Sequence, residues 1–348
     1  MSPPVPIALA TLVPSEVYDD PGLHYARVEK AGDEPGPERG MVDVAVLDMH
    51  HAFPNLGHES IVDTLLEIAR QERAHLPGAP ELRVLSYDVR AGGAVPEGPA
   101  GRFSIVVGTG GPGALDPREN DGVSEASQGV RESAAWEAPL FRFFDRVLRD
   151  PSVSLLGICH SFGLLARWSG VAAAVLRPAE KGGKSTGVTG NVLTPAALEH
   201  PWFSGLARAN GGAGFRVLDS RLYDLIPIGT KTGLLLAFEE GSRPEIPGEA
   251  VTMLELSRDA DGVWPRVWGV NFHPEIGDRG KQRVRVERLA ERGEVTAAWF
   301  EERRRALDAW DASESAEHGL QWTSSFTFEG PLRRIVARVL AERRRLDR

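Results

Sequence analysis

The only cysteine of this 348-residue sequence lies in a context that could present a reactive thiol. In "LLGICHSFGLL" (155–165), Cys159 follows an apolar run and a glycine, and the residues after it are suited to a helix. The order strand, tight turn, helix is that of a nucleophile elbow, in which the turn projects its side chain above the edge of a sheet. Such a turn needs small residues two positions away on either side, and Gly157 and Ser161 meet that need. The N-terminus of the following helix would favour the thiolate.

A second motif would supply the base that a nucleophilic thiol requires. In "VWGVNFHPE" (267–275), a predicted strand delivers His273, and Glu275 follows two residues later behind a stiffening proline. A thiol needs a base to take its proton, and that base needs a third group to fix its tautomer. Taken alone, Cys159 could equally be a buried core residue, which is the usual role of a free thiol. Together the two motifs favour a catalytic cysteine.

A glycine-rich turn provides a third candidate part of the same site. "TGGPG" (109–113) directly follows the apolar segment "FSIVVG" (103–108). Its glycines would let backbone N–H groups approach a ligand closely, as an oxyanion hole or a carboxylate cradle demands. Each of the three motifs therefore comes just after the end of a predicted strand.

The sequence predicts a parallel α/β sheet that would hold these motifs. "VDVAVLD" (42–48) is a nearly continuous apolar run, as expected of a strand buried on both faces. The segment 59–74 has apolar residues at helical spacing. Alternating strands and helices indicate a doubly wound, mostly parallel α/β sheet, which binds its ligands at the carboxyl ends of the strands. Further strands are predicted at 82–88, 103–109, 153–158, 215–219, 233–239 and 266–272.

The composition divides the sequence into three regions. Residues 1–40, rich in Pro, Gly, Asp and Glu, are predicted to be a loosely ordered N-terminal extension or strap. Residues 41–280 carry the α/β pattern, and residues 281–348 are predicted to form a helical C-terminal extension. The last predicted helix has an apolar stripe that we expect to pack on its own domain rather than on a partner. This stripe comprises Leu332, Ile335, Val336, Val339 and Leu340.

The bulk composition excludes several classes of protein. With 42% hydrophobic and 26% charged residues, the sequence is typical of a globular domain. The net charge of -9 argues against a nucleic-acid partner, since such proteins usually have a basic surface. No apolar run approaches the roughly 20 residues of a membrane helix, and the N-terminus lacks the pattern of a signal peptide. We therefore expect a cytoplasmic protein that has neither a membrane nor a nucleic-acid partner.

The order of the motifs resembles that of the class I glutamine amidotransferases. The elbow of that family reads Gly-x-Cys-x-Gly-x-Gln, and its late motif ends in Gly-Val-x-Phe-His-Pro-Glu. "GVNFHPE" (269–275) matches the late motif fully, and "TGGPG" (109–113) matches with Thr in place of the usual Ser. The resemblance covers roughly residues 42–280 and implies a flavodoxin-like fold.

The resemblance also implies roles for individual residues. Cys159 would be the nucleophile, His273 the base and Glu275 the group that orients it, while the N–H groups of His160 and Gly111 would form the oxyanion hole. The implied chemistry is formation of a thioester from glutamine, release of ammonia and hydrolysis, and it requires neither a metal nor an organic cofactor. The predicted substrate-binding residues are Gly110, Gly113, Ser161, Gly163 and Arg221.

Three positions depart from the family pattern. Ser161 stands where the family has glycine, a change that a small residue permits. Gly163 stands where the family has the glutamine that helps to hold the substrate. Because glycine within a helix costs about 1 kcal/mol relative to alanine, we expect open space at Gly163. Arg221, in "DSRLYD", stands where the family usually has histidine, and it is either a substrate contact like His160 or a solvated loop charge. These departures suggest a larger or different amide or acyl substrate.

Three functions remain open from the sequence. The default is a glutamine amidotransferase-like enzyme, whose small-molecule amide substrate is glutamine and whose ammonia would pass to a synthase on a partner chain. The second is a hydrolase or acyltransferase that acts on another amide, ester or thioester. The third is a non-catalytic binding subunit of the same fold.

Other motifs in the sequence are weaker. "EKGGKSTG" (180–187) is similar to a phosphate-binding loop but lacks its first glycine. His50, His51 and His58 have no common metal-ligand spacing, and we expect them to be solvated or to stabilise a loop. The polar segment 116–136 could be a lid over the site or a surface insertion.

Overall fold

The computed structural model describes residues 20–346, apart from 53–54, 100, 230–232, 244–245, 292, 294 and 310–313. Most of the predicted N-terminal extension, residues 1–19, therefore lies outside the described residues. The strands are β1 (Leu23–Val28), β2 (Met41–Asp48), β3 (Glu81–Asp88), β4 (Phe103–Gly108), β5 (Ser154–Ile158), β6 (Ala172–Leu176), β7 (Ser185–Leu193), β8 (Gly214–Arg221), β9 (Tyr223–Pro227), β10 (Leu234–Glu240), β11 (Pro247–Arg258) and β12 (Pro265–Val270).

The helices flank these strands and continue to the end of the described chain. They are α1 (Leu56–Ala74), α2 (Glu137–Arg149), α3 (His160–Ser169), α4 (Pro195–Leu198), α5 (Ser204–Asn210), α6 (Arg279–Glu291), α7 (Ala297–Ala309), α8 (Glu314–Ser324) and α9 (Gly330–Leu346). A π-helical turn at Ser325–Glu329 joins α8 to α9. No helix of the described ranges is long and apolar enough to cross a membrane.

The described strands form a ten-stranded sheet and a separate two-stranded hairpin of β6 and β9. The order in the large sheet is β1-β3-β2-β4-β5-β12-β11-β10-β7-β8. The strands from β1 to β12 in this order are parallel, and those from β12 to β8 pair antiparallel. The prediction of a doubly wound, mostly parallel α/β sheet is confirmed.

The apolar runs of the parallel strands are buried on both faces of the sheet. In β2, Val44 and Val46 pack into a core with α1 and α9, whereas Ala45 and Leu47 pack into the opposite core with α2 and α3. Successive side chains of a strand point to opposite faces, so a continuous apolar run is needed when helices cover both. Every strand that the sequence predicts is present.

Two features of the predicted extensions belong to the main fold. Strand β1, within the predicted N-terminal extension, pairs in parallel with β3 at the edge of the sheet. The apolar stripe of α9 is buried in the core beside α1, as expected, and Arg333 of α9 pairs with Glu72 of α1 at 2.9 Å. The boundaries at 40 and 280 remain predictions, although the structure packs residues from both sides of each against the same sheet.

Candidate active site

The three sequence motifs meet at one edge of the sheet. They follow β4, β5 and β12, which are adjacent parallel strands, so that their carboxyl ends lie side by side. Residues after these ends line a cavity of about 370 Å³, together with residues from β8 and α7. Cys159 and His273 both line this cavity.

A row of three glycines brings α3 close to the sheet. Gly157 of β5 pairs with Gly108 of β4 on one side and with Gly269 of β12 on the other. A Cβ on Gly157 would lie 3.1 Å from the backbone nitrogen of Phe162, and one on Gly108 would lie 2.6 Å from Cβ of Ser161. Both distances are shorter than ordinary contacts, so the first turn of α3 occupies the space that side chains would need.

Cys159 has the strained backbone of an elbow. Its φ of 49° and ψ of -100° lie outside the regions that non-glycine residues favour. Its N–H donates to the carbonyl oxygen of Val270 at 2.8 Å, and its carbonyl accepts from the N–H of Gly163 at 3.0 Å. These bonds fix the turn between β12 and α3. A strained residue held in this way at a cavity is a candidate functional residue.

His273 and Glu275 are joined directly. Nδ1 of His273 lies 2.8 Å from Oε1 of Glu275, so Nδ1 carries a proton and Nε2 is the nitrogen left for the thiol. Burial disfavours the imidazolium, but the charge of Glu275 and the neighbouring Cys159 thiol outweigh it and raise the pKa of His273 well above its ordinary value. The structure therefore brings Cys159, His273 and Glu275 together as a triad in space.

The carboxylate of Glu275 lies against the N-terminal turn of α1. A Cβ on Gly57 would come within 2.8 Å of Oε1 of Glu275, so only glycine leaves room for the carboxylate. Asn55 caps this helix by accepting the N–H of Gly57 at 2.5 Å. The positive end of the helix dipole stabilises a nearby anion, and this placement fixes the group that orients His273.

The two amides predicted to form the oxyanion hole lie at the same cavity. The N–H of His160 is the first of α3 and has no carbonyl one turn earlier within the helix. Gly111 packs so closely on the carbonyl of Met49 that a Cβ would overlap it. Arg90 holds this turn, because its Nη1 donates to the carbonyl oxygens of Met49 (2.9 Å) and Pro112 (2.6 Å). The roles of His160 and Gly111 in an oxyanion hole remain predictions.

The segment 116–136 braces the glycine turn from outside. Glu132 forms a fully buried ion pair with Arg90 at 2.6 Å. Gln128 accepts the N–H of Gly113 at 2.9 Å and lines the cavity. This segment is therefore built into the wall of the site, which neither of the interpretations from sequence described.

The structure divides the predicted substrate-binding residues. Gly113 and Arg221 line the cavity, whereas Gly110, Ser161 and Gly163 do not. A Cβ on Gly110 would lie 3.0 Å from Cε1 of His273, so this glycine makes room for the imidazole. Ser161 is buried, and its hydroxyl donates to the carbonyl oxygen of Thr109 at 2.7 Å.

Gly163 has no open space beside it, and that expectation is wrong. A Cβ there would lie 2.6 Å from Cδ2 of Leu115, whose side chain covers the glycine. Leu115 itself lines the cavity. The position where the resembling family carries a polar amide side chain is thus occupied by an apolar one, which comes from a different part of the chain.

Arg221 is not a solvated loop charge. It is 5% exposed, and its Nη2 lies 2.5 Å from Oε2 of Glu239. Its Nε lies 3.3 Å from Asp219 and 3.4 Å from Asp224, and Arg177 joins the same cluster through Glu239. The charge of Arg221 is therefore already balanced within the protein.

Sequence reasoning missed the residues at the mouth of the cavity. Trp299 and Arg303, both from α7 in the predicted C-terminal extension, line it together with Lys184 and Tyr223. The guanidinium of Arg303 lies 5.6 Å from the ring centroid of Trp299. Neither Arg303 nor Lys184 forms an ion pair within the described residues. A tryptophan in a charged helix was the one available signal, and it does not specify a direction.

The histidines after β2 also differ from expectation. His50 is buried and lines the cavity. His58 is buried in α1, where its Nε2 lies 2.7 Å from the hydroxyl of Ser86. Neither residue is solvated, and only His50 reaches the candidate active site.

No protein-family model matches this chain, and no curated protein matches it. Three solved structures are similar to it. A glutamine amidotransferase from Thermotoga maritima has a TM-score of 0.48 at 18% identity, over 84% of this chain and 98% of that one. A protein assigned to GMP synthase, as one of its subunits, from Thermoplasma acidophilum has 0.37 at 14%, over 67% and 84%. A ThuA-like protein from Bacteroides uniformis has 0.37 at 8%, over 86% and 98%. The assignment of a function therefore depends on the geometry of the site.

Proposed function

We propose that this protein is an amidotransferase-like enzyme that forms a thioester at Cys159 from an amide substrate, glutamine by default, and releases ammonia. One observation carries the proposal. Cys159, at a φ of 49° on the turn between β5 and α3, shares a cavity with His273, which is hydrogen-bonded to Glu275 at 2.8 Å. A nucleophile, its base and the orienting group of that base are thus in position.

The reaction follows from these contacts. The thiolate of Cys159 attacks the amide carbon, and the oxyanion that forms is held by the amides of His160 and Gly111. The imidazolium of His273 gives its proton to the leaving nitrogen, the C–N bond breaks and ammonia departs. Glu275 keeps the imidazole in the required tautomer throughout. Water then hydrolyses the thioester and regenerates the thiol.

A second candidate is transfer or hydrolysis of an acyl group other than that of glutamine. Leu115 favours it, because its apolar side chain covers Gly163 and faces the cavity beside the nucleophile. An acyl chain that is apolar near its reacting carbonyl would contact this surface without leaving a polar group unpaired. If glutamine is the substrate, we propose that its ammonia passes to a synthase on a separate chain.

The decisive measurement is the intact mass of the protein after exposure to a γ-electrophilic glutamine analogue. Because the chain has one cysteine, a thiol adduct is on Cys159, and a Cys159→Ser variant serves as the blank. Labelling by the analogue at low concentration supports the amidotransferase. Rapid labelling by iodoacetamide alone supports the second candidate. A thiol that reacts with iodoacetamide no faster than free cysteine, with no activity sensitive to Cys159→Ala, would leave non-catalytic binding as the remaining function.

A further inference from the structure

A second imidazole–carboxylate pair faces the same cavity as the triad. His50 follows β2 directly, is 2% exposed and lines the cavity together with Cys159, Gly111 and His273. Its Nδ1 lies 3.0 Å from Oδ1 of Asp48. The thioester chemistry described above makes no use of this pair.

The contacts of His50 fix its tautomer. Oδ1 of Asp48 also accepts the backbone N–H of His50 at 2.9 Å, and its other oxygen accepts from Arg27 at 2.9 Å. Asp48 is therefore held as a carboxylate, and Nδ1 of His50 must carry the proton between them. Thr109, whose hydroxyl lies 3.3 Å from the same Nδ1, adds a contact on that side. The lone pair of Nε2 is left for the cavity.

The two imidazoles of the cavity have opposite electrostatic environments. Burial lowers the pKa of His50 in spite of Asp48, so its ring is neutral near pH 7. The pKa of His273 is instead raised by Glu275 and Cys159. Neighbouring groups whose pKa values are driven apart in this way are suited to be a base and an acid, respectively.

We propose, on the basis of the proposed function, that His50 is the base of the second half-reaction. Its Nε2 takes the proton of the water or amine that attacks the thioester carbonyl at Cys159. The O–H or N–H bond breaks, a C–O or C–N bond forms and the C–S bond breaks, with its electron pair left on Sγ. Asp48 stabilises the imidazolium of His50, whose proton then returns through solvent to the thiolate–His273 pair.

The test separates the two half-reactions in the full chain. In His50→Asn, the amide can still donate to Asp48 while the acceptor that faces the cavity is lost. His50→Gln is the second variant, in case the first does not fold. The matched control is His200→Asn, since His200 is equally buried and pairs with Glu255 at 3.1 Å but does not line the cavity. Glutamine and p-nitrophenyl acetate are the acyl donors, and intact mass follows the adduct on Cys159.

We expect the His50 variants to acylate at the wild-type rate and then to accumulate close to one acyl group per chain. Their turnover should fall on the order of 10²-fold or more, which is the range for loss of a general base. Hydroxylamine, which attacks thioesters without a base, should restore release of the acyl group.

Three results would overturn this assignment. They are unchanged turnover in both His50 variants, equal losses of acylation and deacylation, and the same accumulation in His200→Asn. If the wild type itself acquires no adduct from either donor, the proposed function fails with it, and that result is visible before any variant is made.

Discussion

Leu115 and Gly163 are packed in direct contact, with Cδ2 of the leucine 2.6 Å from where a Cβ of the glycine would lie. The glycine is in the first turns of α3 behind the nucleophile, and the leucine follows the glycine-rich turn. The wall of the cavity at this point is therefore a two-residue unit, and neither residue can be changed without regard to the other.

We expect Gly163→Gln to lower the free energy of unfolding by about 1–3 kcal/mol, as overpacking of a core does. It should not improve the KM for glutamine, because Leu115 blocks the new side chain. The double variant Gly163→Gln/Leu115→Ala should recover part of the stability. Urea unfolding of the two single variants and the double variant gives the coupling energy. Additive effects would show that the two side chains do not compete for one space.

Glu275→Gln should reduce kcat on the order of 10²- to 10⁴-fold, since the base loses the group that orients it. Its effect on stability should depend on pH. The raised pKa of His273 means that the folded state gains stability below the unfolded histidine value of about 6.5. That gain is lost as pH rises through the pKa of the folded state.

The free energy of unfolding of wild type should therefore exceed that of Glu275→Gln by more in mildly acidic buffer than in alkaline buffer. Urea unfolding at both pH values checks this, with His273→Gln as the control in which the dependence disappears. A difference that grows with rising pH would contradict the charge assignment.

Gly57→Ala should lower kcat by roughly 10- to 100-fold, because its Cβ would push the carboxylate of Glu275 out of line with His273. Alanine favours a helix, so no loss of helix stability accompanies this change. Gly280→Ala is the matched control, since a Cβ at that glycine of α6 would meet only Oδ1 of Asp278, at 3.4 Å. Steady-state kinetics of both variants decide the point, and equal activities would remove Gly57 from the positioning of the triad.

Arg303→Gln should raise KM for an anionic substrate several-fold while kcat stays close to that of wild type, because the loss affects ground state and transition state alike. Arg304→Gln is the control on the same helix, where the guanidinium is exposed and pairs with Glu301. If KM is unaffected for every anionic substrate tested, the cations at the mouth of the cavity do not contact substrate.

The parallel strands and their motifs could be predicted because each carries its own signal. An apolar run such as that of β2 needs helices on both faces, and the motifs after β4, β5 and β12 mark the carboxyl ends of strands. Strand β7 was missed because "STGVTGNVL" is rich in glycine and polar residues, and most of it is not buried.

The walls of the cavity could not be predicted in the same way. Leu115 covers Gly163 only because the chain turns back after β4, and no local pattern encodes that approach. Arg221 looks like a loop charge until Glu239 and Asp224, from other strands, enclose it. Trp299 reaches the cavity through the path of α7, which the spacing of its apolar residues does not define.

The position of β12 also has a consequence for how the chain acquires its reactivity. This strand lies between β5 and β11, and the segment from β6 to β11 separates it from β5 in the chain. Pairing across such a distance is slow, since the entropy of closing the loop must be lost before the contacts form. Until β12 inserts, Cys159 has neither its base nor the carbonyl of Val270 that fixes its turn. A folding intermediate without β12 would therefore carry an unactivated thiol, and the rate of alkylation during refolding would report when this long-range pairing is complete.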